Sequence, residues 1–273
     1  MIAAVDEISP GLTQVLCDRP VVDRARLRST LLDEGVGADS PRDRRDRDRA
    51  AHMLLRFERP AEVLDLALDH LVAERGCARG DAGFAAARDE VYRPTVVVGE
   101  HDGAASVAET PLPNHHPVLQ STWRAPGAVG FDEVQRARSL GELRGLFGDL
   151  GSTAMLATSI DVEGLGVGLL CIDEVERARV WTPDDREHLD QFVARWLAPV
   201  LGASLVAWAR RRRLTRAERQ AVELLAVGLS YAEIADELGR SVRTVDNQLR
   251  SARRRLDARN AIELVRRAGL LQG

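Results

Sequence analysis

The sequence predicts an α+β chain of two unlike parts, an antiparallel sheet flanked by helices and then an all-helical module. Three observations carry this prediction. A helix-period apolar stripe at residues 61–74 precedes several short runs of strand type, the last ending near Ile172. Beyond residue 214 the strand-type runs stop, and four helix-cap signatures follow within about sixty residues. Charge divides at the same place. Residues 210–273 hold 15 arginines against 8 acids, a balance of +7, whereas residues 1–209 hold 23 arginines against 34 acids, a balance of −11. The expected organisation is a helical extension over 1–59, a sensor or dimerisation domain over 60–205, and a basic helical domain over 206–273.

The whole chain bounds what chemistry to expect. Its 273 residues are 45% apolar and 29% charged, an ordinary globular composition with ample material for a core. No run approaches 18 consecutive apolar residues, so no membrane span is expected. The first twenty residues carry acids where a signal peptide has a basic start, so a cytoplasmic location is expected. All 38 basic residues are arginine. Without lysine the chain cannot carry a P-loop or form a Schiff base. Cys17, Cys77 and Cys171 are odd in number and far apart, which argues against a disulfide scaffold or a structural zinc site.

Each element has its own signal. The charge-alternating run Ser40–Arg49 reads as a solvated helix or a linker. Val63, Leu64, Ala67, Leu68 and Leu71 share one face of a helix over 61–74. Thr95–Val98, Thr153–Ile160 and Val167–Ile172 read as strands, and the short Gly-containing link 161–164 makes a hairpin of the last two. A long helix then starts on Thr182, with Pro183 at its first position and Asp184, Asp185 and Glu187 at the positive end of its dipole. Leu189, Phe192, Val193, Trp196, Leu197 and Val200 form its apolar side, and Pro199 is expected to kink or interrupt it before Leu201–Trp208 leads into Arg210–Arg213.

The segments Ala61–His70, His116–Leu119 and Gly166–Ile172, with Trp181–Asp184 after them, resemble the GAF family of small-molecule-sensing domains over roughly residues 60–203. The resemblance implies a sensor fold and a small-molecule effector, but it names no ligand.

In the C-terminal part, Thr215 with Glu218 and Ser230 with Glu233 have capping-box spacing. Asn260 with Glu263 makes a looser version, and Ser241 precedes Thr244 by three positions. Gly228, Gly239 and Gly269 are expected to end helices. In the helix beginning at Ser241, Val242, Val245, Leu249, Ala252 and Leu256 form a buried seam. Arg243, Asp246, Asn247, Arg250 and Arg254 share the opposite face. Arginine can fork onto guanine, asparagine onto adenine, and aspartate can accept from cytosine. A short helix burying Ile234, Ala235 and Leu238, a tight turn and this longer helix make a helix-turn-helix arrangement.

Leu214–Arg219, Gly228–Ala235, Ser241–Val245 and the pair Leu249 and Leu256 closely resemble the LuxR-type helix-turn-helix, over about residues 212–271. The resemblance implies double-stranded DNA as partner, a third helix in the major groove, and a fourth helix that supports a homodimer on inverted-repeat operators. Two positions depart from the family: Asp246 stands where a basic residue is usual, and Gln248 where histidine is frequent. On this reading Arg250 and Asn247 contact bases, Asp246 is a further base-contact candidate, and Arg243, Thr244, Arg253 and Arg254 contact phosphates. Sigma-factor region 4 has a similar helix-turn-helix and ranks below, because the residues upstream do not read as an all-helical polymerase-binding region. RNA polymerase remains a further partner that a transcriptional regulator would meet.

Three readings of the N-terminal domain stay open: a ligand sensor, a dimerisation domain alone, and a thiol-dependent redox sensor or enzyme. Cys171 lies in a strand and is either a buried apolar side chain or a reactive thiol, and Cys77, in an expected loop, is the better redox candidate. Trp123 and Phe131 line an apolar pocket or fill the core. His115–His116 reads as plain loop, since adjacent histidines point apart and no further ligand stands at metal spacing. No nucleophile–base–orienter set is visible, so neither an enzyme nor a cofactor or metal is expected.

Overall fold

The computed structural model describes residues 8, 10–19, 27–33, 40–57, 59–99, 107–212, 214–256 and 258–268. The chain divides into two compact units, Met1–Leu12 with Pro20–Leu205, and Thr13–Arg19 with Val206–Gly273.

Helix α1 (Pro10–Asp18) and a single π-helical turn (Ser29–Asp33) precede α2 (Pro41–Leu55). Ser40 and Asp43 close a reciprocal capping box around Pro41, which explains why so polar a segment begins a helix here. The alternating charges were expected to be solvated, yet one face is buried through Asp46. Its Oδ1 lies 2.6 Å from His70 Nε2, and its Oδ2 lies 3.2 Å from His188 Nε2. Burial pushes the Asp46 carboxyl up, but the two imidazole contacts outweigh it and hold its pKa at about 2. His70 belongs to α3 (Pro60–Arg75), which buries the predicted stripe and ends at Gly76, where φ is 60°.

The strands follow as β1 (Arg79–Phe84), β2 (Val91–Tyr92), β3 (Val96–Val98) and β4 (Leu112–Pro113). Helix α4 (Pro117–Arg124), β5 (Val129–Phe131), α5 (Leu143–Asp149), β6 (Ser152–Val162) and β7 (Leu165–Val175) complete the layer. The antiparallel sheet runs β3-β1-β7-β6-β5, while β2 and β4 pair separately. This is the fold class expected from the sequence. Glu163 and Gly164, at φ 52° and 80°, turn the predicted β6–β7 hairpin with the twist its strands require. Strand β1 has no signal in the sequence, since Arg79–Phe84 shows no alternation, yet it is buried along its whole length beside β7. Close packing demands its glycines: a Cβ at Gly83 would stand 2.2 Å from the Arg93 carbonyl oxygen.

Helix α6 (Pro183–Phe192) starts on a Thr182–Asp185 capping box, as its caps predict. At Pro199 the helix neither breaks nor stops. A π-helical turn over Val193–Leu197 widens the backbone just ahead of the proline, and α7 (Ala198–Arg212) continues from it. By length and composition Pro183–Ala209 could cross a membrane, but 72% of its apolar window is buried inside the protein, as in a core helix.

The second unit comprises α8 (Arg216–Ala226), α9 (Tyr231–Glu237), α10 (Val242–Arg255) and α11 (Ala261–Arg267). Both predicted capping boxes form, on Thr215 with Glu218 and on Ser230 with Glu233. Asn260 Oδ1 accepts from the Glu263 amide at 2.8 Å. Gly228 and Gly239 adopt φ of 92° and 60°, and the amides after them reach back to the Leu224 and Ala235 carbonyls. The third predicted stop, Gly269, and the side chains of Arg210–Arg213 lie outside the described residues.

Candidate nucleic-acid interface and effector cavity

Helices α9 and α10 are joined by residues 238–241, a connection short enough to hold the two at a fixed angle. Ile234 from α9 and Val245, Leu249 and Ala252 from α10 are fully buried in one cluster with Leu264 of α11. Val242 is an exception to the predicted seam, being 50% exposed. At 3.6 residues per turn it stands about 50° from the seam's centre, and no earlier turn of α10 covers it.

Opposite the seam, Arg243, Asn247, Arg250 and Arg254 are exposed together. Arg250 Nη2 donates to Asp246 Oδ2 at 2.8 Å, an i,i+4 pair on the surface. The acidic departure therefore occupies one edge of the Arg250 fork. Thr244 is exposed in the first turn and its amide donates to the Ser241 hydroxyl at 3.1 Å. Arg253 is half-buried at the margin of this face, its Nη2 2.7 Å from the Tyr231 hydroxyl. Arg255 points elsewhere, donating to the buried Glu218 at 3.0 Å. An exposed helix face with three arginines and an amide, rigidly held by its other side, has the donor geometry for base edges and phosphates.

The first unit holds a cavity of about 70 Å³ between the sheet and the cover formed by α4, α5 and the intervening segments. Its walls are largely apolar, with Tyr92, Phe131, Phe147, Leu140 and Met155 among them. Of the sequence candidates, Phe131 and Cys171 line it. Trp123 does not. It packs against the same apolar cluster while its Nε1 donates to the buried Asn114 Oδ1 at 2.8 Å.

One end of the cavity is polar, and residue pattern gave no warning of it. Arg79 and Asp173 are direct partners across β1 and β7 and form a two-pronged ion pair, with Nε–Oδ1 at 3.1 Å and Nη2–Oδ2 at 2.5 Å. Two more Arg79 N–H groups reach the Leu150 carbonyl and the Ser152 hydroxyl, at 3.1 and 2.8 Å. Burial pushes the Asp173 carboxyl upward, against the pull of Arg79 and Ser152. Two residues along β1, on the same face, stands Asp81, opposite Cys171. Burial, with Asp173 close by, raises the Asp81 carboxyl to about 7, and Arg79 only partly offsets this. A strand showing alternation would have marked these positions. Here the two glycines and two charges of β1 conceal it.

The two thiols among the described residues, Cys77 and Cys171, are buried. Burial pushes Cys77 up to about 12 despite Arg179 Nη1 at 3.4 Å, and Cys171, lining the cavity, is raised well above its ordinary value by the same cause. His116 caps α4, its Nδ1 accepting from the Val118 amide at 3.3 Å, and no group able to hold a metal occurs among the described residues.

Residues 212–256 match the family model for sigma-70, region 4. No curated protein matches the chain. Among solved structures, the chain is similar to a GAF domain/HD domain protein from Geobacter sulfurreducens, at 17% identity and a TM-score of 0.43, covering 55% of this chain and 93% of that one. It is also similar to residues 122 to 287 of a methyl-accepting chemotaxis protein, at 17% identity and a TM-score of 0.47, covering 58% and 98%. A phycoerythrobilin-bound GAF domain from a cyanobacterial phytochrome gives 12% identity and a TM-score of 0.46, covering 62% and 98%.

Proposed function

We propose that this chain is a cytoplasmic DNA-binding transcriptional regulator, not an enzyme, whose helical unit reads double-stranded DNA through α10 and whose sheet unit is a GAF-like sensor. The observation that carries it is the exposed Arg243, Asn247, Arg250 and Arg254 face on a helix locked from behind by Val245 and Leu249. In this reading Arg250 and Asn247 contact bases, with Asp246 tuning Arg250, and Arg243, Thr244, Arg253 and Arg254 contact phosphates. The module is of LuxR type, and the protein acts as a homodimer so that two recognition helices meet half-sites about 34 Å apart. The cavity receives a small organic effector, which alters DNA affinity by binding two states of the protein unequally. The high thiol pKa values disfavour a redox signal.

Selection of duplexes from a random library by the purified protein at low salt, followed by sedimentation of the complex, tests this. Recovery of an inverted repeat bound by two chains is expected, and failure to bind any duplex refutes the proposal. The sigma-70 region 4 match over 212–256 favours a second reading, a module docked beside RNA polymerase at a promoter. A single-chain footprint that forms only with core polymerase would select it.

A further inference from the structure

Asp81 is 8% exposed, lines the cavity, and its carboxyl group has no hydrogen-bond partner among the described residues. No neighbour donates to it. Arg79 directs four of its five N–H groups to Asp173, Ser152 and Leu150, and the Tyr92 hydroxyl donates to the Leu169 carbonyl at 3.1 Å. Its cross-strand partners are the Cys171 thiol, whose own bond goes to the Ile172 carbonyl, and Val97, whose side chain has no donor. Since Arg79 and Asp173 cancel, the polar end of the cavity carries one uncompensated negative charge when Asp81 is ionised. A buried carboxylate without donors is costly, so such a group either takes a proton or waits for a partner.

We infer that this cavity binds a small organic cation, an amine with an apolar body, whose ammonium group is received by Asp81. The inference rests on reading the cavity as the effector site and adds the chemistry of the occupant. An ammonium supplies both the donors and the charge that Asp81 lacks. Beyond it, Tyr92, Phe131 and Phe147 offer aromatic surface suited to an apolar body and to a cation alike. Size sets the other limit. A cavity of about 70 Å³ has room for roughly five waters, so the ligand has on the order of ten non-hydrogen atoms or fewer. An anion meets Asp81 and Asp173 with only one arginine between them, and a neutral ligand leaves the charge where it was.

Benzylammonium, benzyl alcohol and benzoate, matched in size, make the test when titrated into the full chain by calorimetry. Benzylammonium is expected to bind at least tenfold more tightly than the alcohol, and benzoate not at all. In Asp81→Asn the advantage of the ammonium should vanish while the alcohol binds as before. The wild-type affinity for benzylammonium should also rise from about pH 6 to pH 8 as Asp81 ionises, with Arg79, Asp173, Cys171 and Tyr92 the other titratable groups facing it. That pH series decides the matter even if the variant fails to fold. Equal or tighter binding of alcohol or benzoate, or an ammonium affinity flat with pH, overturns the cation assignment and leaves the cavity as a site. No binding by any of the three removes the effector site as well.

Discussion

In the helical unit each helix starts on a side chain that caps an amide three residues ahead, as Thr215 does for Glu218 and Ser230 for Glu233. The cavity of the sheet unit is instead built from partners such as Arg79 and Asp173, 94 positions apart and brought together by strand register. The contrast teaches that a recognition surface on a helix is a local property, whereas a ligand site on a sheet belongs to the pairing. Substitutions should separate the two kinds of dependence.

The largest effect is expected at the cavity's ion pair. Arg79→Ala strands a buried carboxylate and should cost about 3–5 kcal/mol. Hydrogen exchange should speed up in β1, β6 and β7 and stay unchanged in α8 to α11; uniform loss of protection would mean the units do not unfold separately. Leu249→Ala is the counterpart in the helical unit, with an expected cost of about 2–5 kcal/mol from the lost burial and residual cavity. Its footprint in the same measurement should be confined to α8 to α11.

Asp81→Asn should do the opposite of Arg79→Ala. Its folded pKa of about 7 stands above its ordinary value of 3.8, so its contribution to stability is fully present below about pH 4 and is lost as pH rises through 7. The variant should therefore be the more stable protein at pH 8 and show a flatter melting profile between pH 4 and 7. An unchanged profile would show Asp81 to be solvated.

At the DNA face, Arg250→Ala should cost about 1–3 kcal/mol with relaxed base preference, whereas Arg254→Ala should weaken all sequences alike. Competition binding with selected and random duplexes distinguishes these outcomes, and the reverse pattern exchanges the two roles. The smallest change is Ser230→Ala, about 1 kcal/mol of helix stability from a lost cap, read from thermal denaturation.

How much could be read beforehand follows the same division. Caps, glycine stops and the seam of α10 were legible because a helix repeats its contacts every three or four residues. Even there, Val242 escaped burial, and Arg253 is tied to Tyr231, a residue of another helix. In the sheet unit the β6–β7 hairpin, the helix over 61–74 and the helix that starts on Thr182 were legible from local pattern, whereas α4 and α5 were not. Strand β1 was not, because glycines that admit close packing and charges that meet partners across the sheet erase its alternation. Cys77, expected in a loop and the better redox candidate, is buried with its thiol pushed up to about 12.

The order of side chains alone determined that this chain has a mixed sheet-and-helix part and a basic helical part, where each helix of the basic part begins, and which face of α10 is arginine-rich. Those features depend on neighbours within one turn. Only the tertiary structure decided that Asp46 and Asp81 lie inside, that one meets two histidines and the other meets no donor among the described residues, and that an apolar cavity opens beside the second. Charge is written in the sequence, but what a charge costs depends on the groups that folding brings within a few ångströms of it.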